Sequence, residues 1–334
     1  MSRFCVKWGL AERVGVCSAG WIRYNIPMPE SDEFWDFYWE VHLQEMEDLG
    51  KREAILAVSR LIRGLAVRSD QPVRILELGC GEGQIIGTLV EAHAQVRSIN
   101  ASRGVDYSSR SIGKCRRNYP GMSFIEGDLT DQDLIAGLGQ FEIVLLVNTL
   151  HEVFSASHSL ELGEVAVLEA KQRVERALAG AVDRLAPGGY LVLFDGLETS
   201  GDIQESLCIR FCHWQARCRF DTFAREYRPF RISYRESSDP FVVELSYRDF
   251  TRYITKLIFL GKRLWQTERL ESYQYFNETE FREVFARLGL VICELRTLTV
   301  NYEKWRSEVE IETGGVDFPA EHILILACKS GRSG

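Results

Sequence analysis

Between residues 73 and 200, apolar runs of strand length alternate with longer segments of helical periodicity. One long helical segment, Leu162–Leu185, ends at the stop signal Pro187-Gly188-Gly189. Near the carboxyl end, Asn277 and Glu280 form a helix-capping pattern that precedes two further apolar runs. Such alternation is typical of a parallel sheet with helices on both faces. The sequence therefore predicts an α/β, doubly wound fold with the successive strand candidates VRILELG, RGVDYS, MSFIEGD, FEIVLLVNTL and YLVLFDG.

The chain divides into four stretches on this pattern. After the fifth strand the alternation stops, and a region rich in arginine and aromatic residues follows. Because sheet-forming segments return after it, we interpret that region as an insertion. The predicted organisation is an N-terminal helical cover at 1–72, a core at 73–200, an inserted lid or substrate subdomain at 201–275, and a final helix and strands at 276–334 that complete the core sheet.

Composition is that of a soluble globular chain, with 46% hydrophobic and 26% charged residues. No apolar run approaches the ~18 residues of a membrane-spanning helix, so no membrane partner is expected. The N-terminus lacks an apolar segment of signal-peptide length, which predicts a cytoplasmic protein with reduced cysteines. The net charge of −8 counts against broad nucleic-acid binding.

A glycine-rich turn follows the first strand candidate. Leu78 leads directly into Gly79-Cys80-Gly81-Glu82-Gly83, and a helix begins near Gln84. Glycines in such a turn let the backbone approach a ligand closely, and the helix N-terminus offers unpaired N–H groups. A dinucleotide-binding fingerprint would place a small residue where Gln84 stands, so the turn indicates a ligand other than a dinucleotide.

The pattern E-L-G-C-G-E-G, from Glu77 to Gly83, resembles motif I of the class I S-adenosylmethionine (SAM)-dependent methyltransferases. In that family the glycine loop wraps the amino-acid and ribose parts of SAM. The resemblance implies a Rossmann-like, mostly parallel seven-stranded sheet and SAM as the cofactor. It also implies cofactor contacts from Glu77, Gly79, Cys80, Gly81 and Gly83, although Cys80 could equally be a small filler.

Residues after the next three strands follow the same family in order and spacing. The resemblance assigns Asp106, followed by Tyr107, to the ribose hydroxyls, for which a carboxylate is a suitable acceptor. It places Asp128 at the adenine amino group and Leu129 on the adenine ring. Asn148 stands at an edge similar to the family's motif IV, which faces the methyl donor. Helix capping or solvation of a strand end is the alternative role for the two aspartates.

His151 and Glu152 are the candidate catalytic residues. They follow the fourth strand, whose carboxyl end should open on the ligand site of an open α/β sheet. Methyl transfer needs a base only when the acceptor must lose a proton, and imidazole titrates near neutral pH. His151 is therefore the better candidate base, with a role in starting a helix as the alternative, whereas Glu152 suits a cap or a hydrogen-bond partner.

The N-terminal cover supplies two candidate substrate-binding residues. Tyr38 and His42 lie on one face of a predicted helix. In small-molecule methyltransferases a helical segment before motif I commonly covers the donor, so these side chains are predicted to line the substrate cavity. A plain amphipathic docking helix explains the aromatic residues just as well.

The insertion supplies two more candidates, Trp214 and Arg217. They lie in a stretch, 210–235, where seven arginines stand against Asp221 and Glu226 and aromatic residues are interleaved. This composition suits stacking on bases, and equally an anionic or aromatic small substrate. The third possibility is a lid or oligomer contact whose arginines pair with acidic residues elsewhere.

A cluster at Cys208, Cys212, His213 and Cys218 invites a zinc interpretation. It lacks the paired C-x2-C spacing of structural zinc sites, and adjacent ligands diverge on a helix. No metal is therefore expected.

The leading hypothesis is a SAM-dependent methyltransferase acting on a small molecule. One alternative is methylation of RNA or another polymer through the insertion, although the edge at Asn148 lacks the N-P-P-Y or D-P-P-Y tetrad typical of base N-methylation. A second alternative is a non-catalytic SAM-binding protein. The acceptor atom and the oligomeric state, a homodimer included, stay open at this point.

Overall fold

A computed structural model describes residues 49–68, 72–159, 163–199 and 206–330 of the chain. The predicted cover up to residue 48, with Tyr38 and His42, lies outside these ranges, and so do residues 200–205 of the insertion. The described strands are β1 (Ile75–Leu78), β2 (Arg103–Asp106), β3 (Ser123–Glu126), β4 (Phe141–Val147), β5 (His158–Ser159), β6 (Glu164–Val165), β7 (Leu185–Gly196), β8 (Ser206–Phe211), β9 (Tyr234–Glu236), β10 (Val242–Ser246), β11 (Leu290–Leu298), β12 (Val309–Ile311) and β13 (His322–Lys329).

Seven of these strands form the central sheet, in the order β11-β13-β7-β4-β1-β2-β3. Strands β1, β2, β3, β4 and β7 are mutually parallel, whereas β13 runs antiparallel to both β7 and β11. This confirms the predicted doubly wound, mostly parallel seven-stranded sheet.

Strand β1 lies in the middle of the sheet, and all four of its residues are buried. Its parallel neighbours are β2 on one side, with Leu78 opposite Val105, and β4 on the other, with Leu78 opposite Leu146. The chain leaves β1 toward β2 and returns later on the opposite side as β4. Such a reversal opens a crevice at the carboxyl ends of the strands, where ligands bind in α/β sheets.

Helices cover both faces of the sheet. The described helices are α1 (Leu49–Arg68), α2 (Gln84–Ala92), α3 (Ser109–Asn118), α4 (Gln132–Ala136), α5 (Leu150–Ser155), α6 (Val167–Asp183), α7 (Trp214–Glu226), α8 (Tyr247–Leu257), α9 (Trp265–Glu268), α10 (Glu278–Arg287) and α11 (Tyr302–Arg306). One apolar core lies under α1, α2 and α3, and the second under α4, α5, α6 and α10. Within the described ranges, no helix is both long and apolar enough to cross a membrane.

Two boundaries differ from the sequence prediction. The fourth strand was predicted to reach Leu150, but β4 ends at Val147 because Asn148 takes a φ of 50° and Leu150 already begins α5. The Pro187-Gly188-Gly189 turn lies inside the range of β7, where pairing with β4 jumps from Leu185 to Tyr190. The turn is therefore a bulge at the start of the strand.

A second, antiparallel sheet has the order β12-β8-β10-β9. Its apolar core is formed with α7 and α8. Strand β12 pairs with β8, although its residues belong to the stretch 276–334 that was predicted to complete the central sheet. Pairing with β12 covers an edge of β8 that would otherwise present unpaired backbone groups, so the inserted layer is not confined to 201–275.

The segment Glu271–Phe276, here called the crossing segment, joins this layer to the central sheet. The N–H of Glu198, just after β7, donates to the Phe276 carbonyl at 2.9 Å. Gln274 Nε2 donates to Thr255 Oγ1 of α8 at 3.0 Å. At Gly196 the two backbones are so close that a Cβ atom would lie 1.9 Å from the Tyr273 carbonyl oxygen.

We expect Gly196→Ala to destabilise the protein by about 1–3 kcal/mol, because backbone rather than a flexible side chain would have to move. The measurement is the free energy of urea unfolding. The matched control is Gly64→Ala in α1, where nothing lies within 4 Å of the new Cβ, and which should stabilise the helix by about 0.5–1 kcal/mol. Equal stability of wild type and Gly196→Ala would contradict the close approach.

Candidate active site

The loop between β1 and α2 turns sharply because three glycines take left-handed backbone conformations. Gly79, Gly81 and Gly83 have φ values of 78°, 52° and 81°. The Gly83 N–H donates to the Cys80 carbonyl at 2.8 Å, and the N–H groups of Gly79 and Cys80 share the Val105 carbonyl of β2. The loop is thus closed on itself and tied to the neighbouring strand, with its backbone leading into the N-terminus of α2.

Gly79 is also required by a close contact with the end of β4. A Cβ atom there would lie 2.5 Å from both Cγ2 and Oγ1 of Thr149. The Thr149 hydroxyl lies within hydrogen-bond distance of the Leu78 and Val147 carbonyls, at 3.2 and 3.0 Å. Thr149 therefore joins the ends of β1 and β4. The sequence analysis did not select it, although it follows Asn148 directly.

Asp106, at the end of β2, holds the glycine loop through its carboxylate. Oδ2 accepts the Gly81 N–H at 2.8 Å and Oδ1 accepts the Ser108 N–H at 2.9 Å. Burial raises the pKa of Asp106, while these two N–H donors act against that shift. Each carboxylate oxygen keeps a further lone pair that can accept from a ligand. The next residue, Tyr107, is 67% exposed and lies at the rim.

Glu77 lies beneath the loop rather than at its surface. It is buried, and its Oε2 accepts the Ile86 N–H of α2 at 3.1 Å. Burial raises the pKa of Glu77 to about 8, and the negative charge of Asp106 adds to the rise. Glu77 therefore connects β1 to the first turn of α2 and has an unusually basic carboxyl.

The remaining predicted cofactor residues have mixed environments. Asp128 Oδ1 accepts from both the N–H and the hydroxyl of Thr130, at 2.8 Å each, so one of its oxygens serves the local turn, whereas the cap of α4 is Asp131. Leu129 packs partly against the apolar core. The Asn148 N–H donates to the Phe194 carbonyl, and its Oδ1 is buried without a hydrogen-bond partner among the described residues.

Cys80 acts as a small filler beneath the loop. A neighbouring thiol, Cys115, donates to the Gly81 carbonyl at 3.2 Å. The Cys115 thiol and burial raise the pKa of Cys80 well above its usual range. A Cβ on Gly104 would lie 2.7 Å from Cys80 Sγ, so the thiol occupies the space that this glycine leaves.

His151, in the first turn of α5, is oriented by Asp195 at the end of β7. The distance from its Nδ1 to Asp195 Oδ1 is 2.8 Å. Asp195 is fully buried and also accepts the N–H groups of Thr149, Leu150 and Gly196, at 3.1, 2.7 and 2.7 Å. Because the carboxylate accepts at each of these contacts, it favours the proton on Nδ1 and leaves Nε2 to take a proton from elsewhere.

The crossing segment covers one face of the His151 ring and approaches its Nε2. The rings of Tyr273 and His151 stack with their centroids 3.9 Å apart. Glu271 Oε2 lies 3.8 Å from His151 Nε2. Sequence reasoning missed Asp195, Glu271 and Tyr273; only Asp195, an acid at the carboxyl end of a strand, carried a recognisable signal.

Glu152 lies in the same acidic surroundings. Burial and the carboxyl of Glu271 hold the pKa of Glu152 well above its usual range, and Asp106 and Asp195 contribute further. This favours the protonated carboxyl, which can donate a hydrogen bond but is a poor base.

A buried ion pair supports the crossing segment from the inserted layer. Lys256 Nζ lies 2.7 Å from Glu268 Oε2, with both side chains almost fully buried. The same ammonium group lies 4.1 Å from the centroid of the Tyr273 ring. Tyr273 is therefore held between this cation and the His151 imidazole, which couples α8 and α9 to the candidate base.

The two candidates in the insertion are not brought to His151 by any contact that the structure describes. Arg217 is buried among Phe211, Phe220 and Tyr234, and its guanidinium pairs with Glu236 at 2.9 Å. Trp214 is exposed on the second layer. The Arg217 charge is therefore paired within that layer, and its guanidinium carbon lies 5.6–5.9 Å from the centroids of the three aromatic rings.

The cysteine-rich cluster also divides among separate partners. Cys208 contacts Glu312, the Cys212 thiol points to the Arg306 carbonyl, and His213 Nδ1 accepts the Ala216 N–H as the cap of α7. Among the described residues, no group of three or more histidine, cysteine or acidic side chains is arranged to hold a metal ion.

The raised pKa of Glu77 predicts a pH dependence of stability. Between the ordinary value of 4.5 and the folded value of about 8, the folded protein keeps a proton that the unfolded chain has lost. Stability should therefore fall as the pH rises through this window, by up to about 1.4 kcal/mol for each pH unit. Glu77→Gln should reduce that fall, as measured by urea unfolding across the window without SAM.

Glu91→Gln, at an exposed position of α2, is the control and should keep the wild-type pH dependence. A Glu77→Gln protein whose stability falls as steeply as that of wild type would contradict the proposed protonation.

A family model described as "Methyltransferase domain" matches residues 75–189, about a third of the chain. No curated protein matches the chain. Solved structures with similar folds include a magnesium protoporphyrin IX methyltransferase from Synechocystis PCC 6803 with bound SAH, at 12% identity and a TM-score of 0.45, covering 90% of this chain and 97% of that one.

Two further structures are a TehB-like SAM-dependent methyltransferase from Corynebacterium glutamicum and a Haloferax volcanii complex of the Trm112 methyltransferase activator with a putative methyltransferase. The first has 16% identity and a TM-score of 0.42, covering 91% of this chain and 100% of that one. The second has 12% identity and a TM-score of 0.44, with coverages of 91% and 100%.

The matched segment begins with β1 and ends at the start of β7. It therefore contains the glycine loop, Asp106 and the β4 edge that leads to His151. Its strands belong to the mostly parallel sheet that the resemblance to motif I implies. The segment 75–189 therefore matches a methyltransferase domain.

Proposed function

We propose that this methyltransferase acts on a small molecule whose attacking atom must lose a proton. The observation that carries the proposal is the 2.8 Å contact between His151 Nδ1 and Asp195, beside the crevice between β1 and β4. A histidine oriented in this way by a buried carboxylate is suited to accepting a proton at Nε2. A transfer that needed no base would not require this arrangement.

The residues at the crevice fit SAM. The positive φ values of Gly79, Gly81 and Gly83 and the contact at Thr149 leave a cradle without side chains, which is suited to the amino-acid part. Asp106, with Tyr107 at the rim, would accept the ribose hydroxyls through the remaining carboxylate lone pairs. Asp128 and Leu129 would contact the adenine, and Asn148 would contribute its buried Oδ1. Glu77 and Cys80 would act from beneath the loop.

When bound, SAM supplies a methyl group on a positively charged sulfur. The chain's residues would then hold the acceptor in line with that methyl group, since positioning supplies much of the catalysis in such displacements. His151 would accept the proton at Nε2, and Asp195 would stabilise the imidazolium that forms. Glu152, with its raised pKa, would serve as a hydrogen-bond donor rather than as a base.

The arginines in the insertion pair with acidic side chains, which supports a small-molecule acceptor rather than RNA. A nucleic-acid surface would need guanidinium groups available to phosphates. Five of the seven arginines are instead engaged by acidic side chains: Arg210 with Asp239 and Glu312, Arg217 with Asp221 and Glu236, Arg219 with Glu308, Arg225 with Glu226, and Arg235 with Glu244. This favours the interpretation of the insertion as a lid with internally paired charges.

The same proposal includes the broader organisation. The stretch 73–200 would form the SAM-binding core, with the insertion and the cover at 1–72 enclosing the substrate. A cytoplasmic location remains a prediction, as does the role of Tyr38 and His42.

Asp106→Asn should weaken SAM binding about 10- to 100-fold, because a hydrogen bond to a charged group contributes about 1.5–3 kcal/mol. Titration calorimetry with SAM is the measurement. Asp131→Asn is the matched control: Asp131 caps α4, a role that asparagine can keep. Absence of binding to wild type at millimolar SAM would exclude the proposal.

His151→Gln and Asp195→Asn should each lower kcat by about 10²- to 10⁴-fold, the range of general-base catalysis, with SAM affinity nearly unchanged. The assay uses isotopically labelled SAM with a phenol, a primary amine, a carboxylic acid and a 1,3-dicarbonyl as acceptors, and detects methylated products by mass spectrometry.

His213→Asn, at the capping position of α7, is the control for a histidine outside the site. Turnover that is unaltered in His151→Gln would reject the role of this residue as the base.

A further inference from the structure

The nitrogen of His151 that can take a proton faces Glu271. Its other nitrogen is engaged by Asp195 at 2.8 Å, and one ring face is covered by Tyr273 at 3.9 Å. From Nε2 to Glu271 Oε2 the distance is 3.8 Å, longer than a hydrogen bond but with no room for another heavy atom in line between them. An acceptor that delivers a proton toward Nε2 must therefore meet the Glu271 carboxylate.

The exposure of the His151 and Glu271 side chains also indicates that Glu271 meets the acceptor first. The His151 side chain is 2% exposed, whereas that of Glu271 is 26% exposed. Asp195, behind the imidazole, is fully buried. Of these three groups in a row, Glu271 is the one that a molecule entering from outside can touch.

The position of Glu271 is fixed to that of His151 by the backbone. The N–H of Ser272, the next residue, donates to Ser155 Oγ at 2.9 Å. That hydroxyl in turn donates to the His151 carbonyl at 2.7 Å. Two hydrogen bonds thus link the neighbour of Glu271 to the main chain of His151, so the carboxylate is held beside the ring rather than placed there by a flexible loop.

The charges around this row come from several elements. Glu152 lies on α5 beside His151, and Asp106 lies across the crevice. The charges of Glu271 and Asp106 both raise the pKa of Glu152. From the inserted layer, Lys256 contacts the far face of Tyr273 but is paired with Glu268. His322 meets the edge of the Tyr273 ring. The surroundings of the reacting atoms are therefore predominantly acidic.

We infer that Glu271 is a catalytic residue that takes the proton from the acceptor and passes it to His151 Nε2, as the outermost member of an Asp195–His151–Glu271 row. This inference rests on the proposed function. The bond from the attacking atom to hydrogen breaks, its electron pair stays on the attacking atom, and the proton binds Glu271 Oε2. The attacking atom bonds to the methyl carbon of SAM while the carbon–sulfur pair moves to sulfur. The proton then passes from Glu271 Oε2 to His151 Nε2, and after the methylated product has left it returns through the exposed side of Glu271 to water.

The same geometry selects the class of acceptor. Carboxylates at Glu271 and Asp195, with Glu152 alongside, would repel an acceptor whose reacting group is anionic, such as a carboxylate. They would favour a group that arrives carrying its proton, such as a hydroxyl or an ammonium group. Phenols and amines should therefore be methylated in preference to carboxylic acids.

Glu271→Gln should lower kcat by about 100-fold or more, as expected for loss of a general base, with SAM affinity nearly unchanged by calorimetry. Glu271→Asp should recover part of the activity, because it restores a carboxylate at a slightly longer distance. The matched control is Glu303→Gln, an exposed residue of α11, which should behave as wild type. Wild-type turnover in Glu271→Gln, or equal turnover of carboxylic acids and phenols, would overturn the inference.

A readout that needs no acceptor separates this role from simple packing. With only six histidines in the chain, nitrogen-15 labelling of histidine allows the His151 ring to be assigned by its loss in His151→Gln. Glu271→Gln should shift the Nε2 resonance and leave the Nδ1 resonance, which faces Asp195, almost unchanged. An unchanged Nε2 resonance would overturn the inference even if SAM binds, whereas failure of wild type to bind SAM would instead reject the proposed function.

Discussion

The buried carboxylate of Asp195 is the interaction on which the site depends. Standing at the end of β7, it accepts the N–H groups of Thr149 and Leu150 and the imidazole of His151. The same contacts end β4, begin α5 and orient the candidate base. A buried acid with no donors would be costly, and here four donors, including the Gly196 N–H, satisfy it. The end of β4 and the orientation of the candidate base therefore have one physical cause.

The second constraint is the passage of the crossing segment over the central sheet. Only glycine fits at position 196, because the Tyr273 carbonyl occupies the space of a Cβ. This close approach brings Tyr273 onto His151 and Glu271 toward its Nε2. The Lys256–Glu268 pair then holds the other face of Tyr273 from the inserted layer. The insertion thus contacts the site through one short segment. Five of its seven arginines between residues 210 and 235 form ion pairs with acidic side chains.

Local sequence signals were most informative where backbone conformation depends on residue type. The glycine loop, the acid at Asp106 and the Asn277 capping box are each visible in a few consecutive residues, and the structure has the corresponding turn, hydrogen bonds and cap. The role of Arg217 in substrate binding stays a prediction. Its pairing with Glu236 was not visible in the sequence, because residue spacing does not reveal the contact between α7 and β9. The end of β4 was misplaced for the same reason, since Asp195 lies far along the chain.

By itself the sequence determined the alternation of strands and helices and the glycine loop after β1, because apolar periodicity and glycine requirements are local properties. SAM as the cofactor was implied by the resemblance of that loop to motif I. Tertiary structure alone decided which groups surround His151. Asp195, Glu271 and Tyr273 come from the end of β7 and from the crossing segment, distant from His151 in sequence. Their meeting follows from the strand order and from the close packing at Gly196, which no short window of residues encodes.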